Sequence, residues 1–566
     1  MDKRTTLALL LMAALLMIYP AIFMRQESEK HPPKTESPAP TSGAKPSVPA
    51  SPPPGSAAAA TPPPKEAAPV PERATVVETP LYRAVIVSAG GRVDGWELHY
   101  RGDKPMVVPG MLMSRGLSVL RAGQPPRAVP FALSTEKVVP TAGGGAELTL
   151  TGEDGFGLKI SETLRFRSDS YVVEHQLKVE NRHNVAQSAE VVLAWTAPIE
   201  VPKDTPEKFL GQHPIRVVRL AEGSVHRELL AKTTEFSGPG QWIGLESEWY
   251  LTALIPRSPG FLIAESKLAE TRQDAPKPVE FSQVAVRVPI SALQPGQAWE
   301  GQLESYIGPK EYDRLKAVGA GLEKSIYFGG FPIPQDYGGL PMEWLVVPIL
   351  WVMHRFYVYT HNYGIAIILL TVITKVLFFP LTIKSMTSMR AMQALQPQVN
   401  ALRSKYKSDP QRLQRETMEL YRTHKVNPLG GCLPMVVQIP IFYALYVALS
   451  VSVEIQNAPF ICIGHLFGVD LWICNLAVHD PTYILPILMG ISMFVQQKMT
   501  PVMGDPRQAK MMLFMPVVFT FMFLNLPAGL VLYWTLSNVL QIAQQKYMEH
   551  IGKKDQKAPA RATKRA

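Results

Sequence analysis

The chain has 566 residues, with 57 Lys+Arg against 47 Asp+Glu, a net charge of +10, 46% hydrophobic residues, 52 prolines and three cysteines. Such a length holds about three or four domains. A mean hydropathy near zero averages water-soluble stretches with apolar runs too greasy for a surface helix. A single soluble globule, a disulfide scaffold and an all-cysteine metal site are excluded.

Thr5 to Met24 carries no charge and follows Lys3 and Arg4. At about 1.5 Å per residue it reaches across the ~30 Å hydrocarbon core of a bilayer. It exceeds the apolar run of a signal peptide and no A-x-A site follows, so residues 1–24 read as an uncleaved anchor. Residues 31–71 hold 14 prolines among Ala, Ser, Thr and Gly. Without apolar periodicity they cannot offset ordering entropy by burial, and 25–75 reads as a linker.

From about Val76 the period becomes two. Leu81 to Val87, Ala146 to Thr151, Leu158 to Phe166 and Tyr171 to Val179 alternate, with Val173, His175, Leu177 and Val179 on one face. Short strands at this spacing predict an antiparallel sandwich over 76–342. A helical stripe of Tyr312, Leu315, Leu322 and Ile326 closes it. Residues 343–360 are apolar and aromatic yet include Pro348, His354 and Arg355, which predicts an amphipathic helix in the outer membrane interface.

A membrane core follows over 361–545, with crossings at about 362–381, 429–453, 481–497, 511–526 and 528–545. The last two are separated by Asn525, Pro527 and Gly529, because one helix of that whole run would be too long for a single crossing. Six crossings leave Met1 to Arg4, Thr382 to Pro428, Lys498 to Lys510 and Lys546 to Ala566 inside, with 2, 9, 3 and 7 Lys/Arg. The outside loop Ser452 to Asp480 has none, as the positive-inside rule requires. The segment Arg25 to Glu343, with 34 basic and 37 acidic residues, is the exported part. Residues 382–428 predict a cytoplasmic helical hairpin, with a stripe at 386, 389, 392, 395, 399, 402 and 406 and a break at Ser408-Asp409-Pro410 that supplies an N-cap. Residues 546–566 form a basic cytoplasmic tail.

One ionisable residue falls inside a crossing. Lys375 has Thr371 one turn earlier, Gln438 in the next crossing, and Thr520, Ser537, Asn538 and Gln541 in the last two. A lysine at a helix centre costs about 2.5–3.5 kcal/mol. It either snorkels to the inner surface or faces a hydrated hollow that would attract an acidic peptide; its polar company favours the hollow. No H-E-x-x-H, G-x-S-x-G, P-loop or C-x-x-C pattern is present, and no catalytic residue, metal or cofactor is expected.

Asn427 to Pro434 (NPLGGCLP) running into Gln438 to Phe442 (QIPIF), Tyr483 to Gly490 (YILPILMG), Pro527 to Tyr533 (PAGLVLY) with Ser537-Asn538, and Gly308-Pro309-Lys310 resemble the YidC membrane protein insertases of Gram-negative bacteria over nearly the whole chain. The resemblance implies a multi-domain inner-membrane protein: an all-α polytopic core, an all-β periplasmic supersandwich similar to sugar-mutarotase folds, and a cytoplasmic hairpin. It implies an insertase and chaperone, not an enzyme, for nascent membrane proteins. Partners would be the Sec translocon (SecYEG with SecDF), the ribosome through basic loops and tail, and membrane lipids.

The groove would hold Lys375, where the family usually has arginine, with Thr371, Gln438, Ser537 and Asn538. Substrate would slide along Ile439, Phe442, Tyr533 and Trp534, the last replacing a second tyrosine. The outer loop is longer than the family's, and its Cys462 and Cys474 are positioned to pair in an oxidising compartment or to remain free thiols. Two rivals are a small-solute transporter, which should show inverted repeats, and a membrane-anchored carbohydrate-binding protein, which leaves the crossings idle.

Overall fold

The computed structural model describes residues 72–557 apart from 101, 108–110, 142, 201–214, 272–277, 332–338, 408, 428–432, 467–468 and 500–505. The anchor 1–24, the linker to residue 71 and the end of the tail lie outside the described residues.

Alternation of buried and exposed side chains drives the N-terminal half into sheets. Leu158–Arg167 and Val172–Asn181 pair antiparallel with Leu158 opposite Asn181. Val173, His175, Leu177 and Val179 all point into the core, as their period requires. These two strands lie within a nine-stranded sheet. A six-stranded sheet is centred on the long strands Gln187–Pro198 and Val279–Leu293, which pair antiparallel. A third sheet of five strands holds Ala74–Glu78, Tyr82–Val87 and Val93–His99. Trp96, Trp195, Trp242, Tyr82, Tyr250 and Tyr306 are fully buried among them, with Tyr82 stacked on Trp96 at 4.1 Å. The expected β domain is present.

Its closing helix is shorter than the stripe suggests. Helix α1 (Tyr312–Val318) stops at Gly319, which adopts a left-handed φ of 76° as its C-cap. The chain then makes a 3₁₀ turn at Leu322–Ser325. Leu315, Leu322 and Ile326 still share the buried side.

Helix α2 (Glu343–Thr360) has the predicted bounds. It buries Val346, Ile349 and Met353 and exposes Trp344, Trp351, Val358 and Tyr359. Asn362 caps α3 (Tyr363–Leu377) by accepting from Ile365 N. Pro380 has no N–H to give to the i−4 carbonyl, and α3 gives way at Phe378 to α4 (Phe379–Ala394), bent by 59°.

Residues 391–428 form a separate compact unit. It contains α5 (Gln396–Lys405) and α6 (Pro410–Thr423). Asp409 is the N-cap, accepting from Arg412 N at 3.0 Å, with Pro410 in the first turn. Tyr406 lies under both Lys405 and Arg412.

The remaining helices are α7 (Leu433–Val451), α8 (Ile484–Met499), α9 (Pro506–Phe523) and α10 (Ala528–Lys557). The break between α9 and α10 falls where Asn525, Pro527 and Gly529 predict it. Among the described residues no single helix is long and apolar enough to cross a membrane; α3 and α4 pass that test only as a bent pair. The ends of these helices sort into two groups. Asn362 Nδ2 donates to Phe460 O, Trp249 Nε1 of the β domain to Ser450 O, and Ala528 N to Val478 O, while Asp480 caps α8 through Leu485 N. The start of α3, end of α7, start of α8 and the α9–α10 turn therefore share the β-domain end. At the other end Gln545 Nε2 of α10 donates to Met499 O.

Candidate functional site

Lys375 lies one turn after Thr371 on α3 and is half-buried. Its Nζ donates to Gln541 Oε1 of α10 at 3.3 Å. Among the described residues no carboxylate pairs with it. Thr371 is fully buried and spends its hydroxyl on its own helix, donating to Ile367 O at 2.6 Å. Its hydroxyl is therefore not free.

The Tyr533 side chain is buried, and its hydroxyl faces Gln438 of α7, Thr374 of α3 and Ser537 one turn further along α10. Ser537 Oγ is buried beside that hydroxyl. Asn538 turns away toward α8, where its Nδ2 donates to Ser492 Oγ at 3.1 Å, and Ser492 in turn donates to Met489 O. Gln438 and Ser537 thus meet Tyr533 between α3, α7 and α10, Lys375 meets Gln541 between α3 and α10, and Asn538 lies in the seam between α8 and α10.

The four expected sliding contacts divide in the same way. Ile439 is 49% exposed. Phe442 meets Trp534 edge-on at 4.5 Å, and Trp534 also packs on Phe523 at 5.2 Å. Phe519 completes this aromatic group across α7, α9 and α10. Tyr533 is in the polar set instead, since adjacent positions on a helix face different ways.

Sequence reasoning passed over Ser492, Thr374, Phe519 and Phe523. The signals were there: a serine inside the apolar run of α8, and two phenylalanines four apart, on one face of α9.

The arrangement is a cation held by a neutral amide, beside hydroxyls and amides in an otherwise apolar bundle. Among the described residues that arrangement pairs no nucleophile with a base. Comparison with known proteins gives it a family. The family model described as 60Kd inner membrane protein matches residues 355–556, and the model for the YidC periplasmic domain matches 74–352.

The chain belongs to the YidC family of membrane protein insertases.

Relatives named membrane protein insertase YidC include those of Syntrophus aciditrophicus, 37% identical over 97% of this chain and 99% of the relative, and Geobacter metallireducens, 37% identical over 97% and 98%. That of Geobacter sulfurreducens is 38% identical over 97% and 98%. As a YidC family member the chain is an inner-membrane protein with a β-rich periplasmic domain and a helical C-terminal region, and it is not an enzyme.

Proposed function

We infer that this protein inserts hydrophobic segments of nascent proteins into the inner membrane by way of a hydrated, positively charged groove open to the cytoplasm. The observation that carries the reading is Lys375. It is half-buried, bonded to the neutral Gln541 and, among the described residues, without a carboxylate partner. A lysine kept in an apolar bundle is costly, about 2.5–3.5 kcal/mol at a helix centre, and marks function by default. Its charge is left available for an acidic stretch of substrate, and a lone ammonium attracts such a stretch without gripping it.

A polar tail crossing lipid costs several kcal/mol per bare polar group. Water around Lys375, Gln438 and Ser537 removes part of that cost. Thr371 walls the groove, and Asn538 holds α10 to α8 behind it. The apolar runs Val437–Val451 and Ile484–Met499 are short for a crossing, so the bilayer thins around them and the dry path shortens. The apolar segment leaves along Ile439, Phe442 and Trp534 into lipid, and its burial supplies the drive. Tyr533 orders the polar wall behind that path.

The six-crossing topology, with both termini cytoplasmic, rests on the basic residues of 382–428 and 546–566. It is supported by the alternation of helix ends at the β domain. The cytoplasmic hairpin receives the segment, and the basic tail holds the ribosome through RNA phosphates. The Sec translocon would act beside it on larger clients.

Purified protein in vesicles should make a small single-spanning substrate with an acidic tail protease-protected. Lys375→Ala should lower that yield about fivefold, since one contact between opposite charges in water is worth about 1 kcal/mol, and Lys375→Arg should retain it. Equal yields from both variants would remove the charge from the mechanism. Protection no better than in empty vesicles would refute insertion by this chain alone.

A further inference from the structure

The loop between α7 and α8 carries an element that the groove does not use. Ile461–Leu466 and Val469–Ile473 pair as an antiparallel hairpin, and a disulfide joins Cys462 to Cys474 at its base. An isolated two-stranded hairpin is marginal in water, so the cross-link gives this one a lasting shape. The register shifts between Cys462 and Gly464, which leaves Ile463 as the extra residue of a β-bulge. Ile463 is 71% exposed and Ile461 is 41% exposed.

The hairpin's base is tied to the helices. Asn362 Nδ2 donates to Phe460 O at 2.8 Å, and the Phe460 ring occupies the space that a Cβ on Gly364 would need. Ile365, next to Gly364 on α3, is exposed. Exposed apolar side chains therefore stand both on the first turn of α3, at Ile365, and on the hairpin tied to it, at Ile461 and Ile463. The helices of an inner-membrane protein meet lipid through such exposed apolar side chains, and this surface extends theirs. Residues 452–480 contain no Lys or Arg to hold the loop away from it in water.

We propose that the disulfide-stapled hairpin is an outer-leaflet wedge whose Ile461 and Ile463 sit among lipid acyl chains beside the outer end of α3. It displaces lipid where a translocated tail emerges and so adds to the thinning that short helices cause. The inference rests on the reading that this loop is periplasmic.

The test uses the full chain reconstituted in vesicles of phosphatidylethanolamine and phosphatidylglycerol, with a photoreactive benzophenone side chain at position 463 or, as control, at Val185, an exposed position of the β domain. Burying one isoleucine shifts occupancy on the order of tenfold, so irradiation should give about tenfold more lipid adduct at 463 than at 185. Cys462→Ser with Cys474→Ser should lower it severalfold. Equal adducts at the two positions, or adducts at 463 to a second copy of the chain, would overturn the wedge. Insertion of a single-spanning substrate is read in the same vesicles, so a failed wedge is distinguished from a failed insertase.

Discussion

Glu162, His175 and Ser305 form a buried chain of hydrogen bonds, with Glu162 Oε1 2.7 Å from His175 Nδ1 and His175 Nε2 2.8 Å from Ser305 Oγ. In outline this is the constellation of a serine hydrolase. The cavity that His175 and Ser305 line with Trp96 and Trp195 is about 20 Å³, room for a single water. No substrate carbonyl reaches that serine, and the chain of bonds ties two neighbouring strands to Ser305 in a third. His175→Ala would leave Glu162 buried without its partner and should cost about 2–3 kcal/mol, read as faster hydrogen exchange in 158–181 of the full chain with insertion unaffected. Unchanged exchange would show the chain of bonds to be incidental.

Glu454 is a second informative residue. It accepts from the Tyr363 hydroxyl at 3.4 Å and lies 3.9 Å from His354 Nδ1. Burial pushes its carboxyl above the ordinary 4.5, Glu311 and Asp313 add to the shift, and His354 and Tyr363 oppose it. A carboxyl raised in the folded state favours folding most at low pH, and that contribution is lost as pH rises above 4.5 through the raised value. Protection of 450–458 should therefore fall with rising pH, and Glu454→Gln should flatten the slope. A slope that survives the substitution would assign the effect elsewhere. His175 was legible as a core residue because strands alternate, whereas its tie to Ser305, 130 residues away, is a tertiary fact that no local pattern encodes.

At the scale of elements, helix bounds were legible where a cap or a proline stood at them. Asp409-Pro410 marks the start of α6, and Asn362 the start of α3. The bend between α3 and α4 was less legible, because hydropathy runs smoothly through Phe378 while Pro380 breaks the ladder beneath it. Close helix approaches were not legible at all. Gly490 of α8 lies against Thr520 of α9, so that a Cβ there would overlap the threonine hydroxyl. Gly490→Ala should destabilise the helical region by about 1–3 kcal/mol through overpacking, read as a lower thermal midpoint of the full chain. Adding Thr520→Ala should restore it. Failure of the second change to rescue the first would mean that the two helices do not meet there.

At the scale of the whole molecule, the β domain meets the end of α7 and the segment after it through Trp249 on Ser450 and Tyr250 on Gln456. Family membership was legible in the long motifs around Gln438, Tyr483 and Tyr533. The division of the polar and aromatic residues among the helices was not, because which residues on a helix meet depends on how α3, α7, α8 and α10 rotate against each other. Deleting 31–71, whose proline-rich composition predicts a linker, should leave insertion intact; a loss as large as that from Lys375→Ala would move function into the exported region. The central claim is that water reaches Lys375 from the cytoplasm. With Cys432 changed to Ser and Cys462–Cys474 paired, Lys375→Cys leaves one free thiol in the chain. A charged, membrane-impermeant maleimide should label it in inside-out vesicles and not in right-side-out ones. No labelling from the cytoplasmic face would contradict the account.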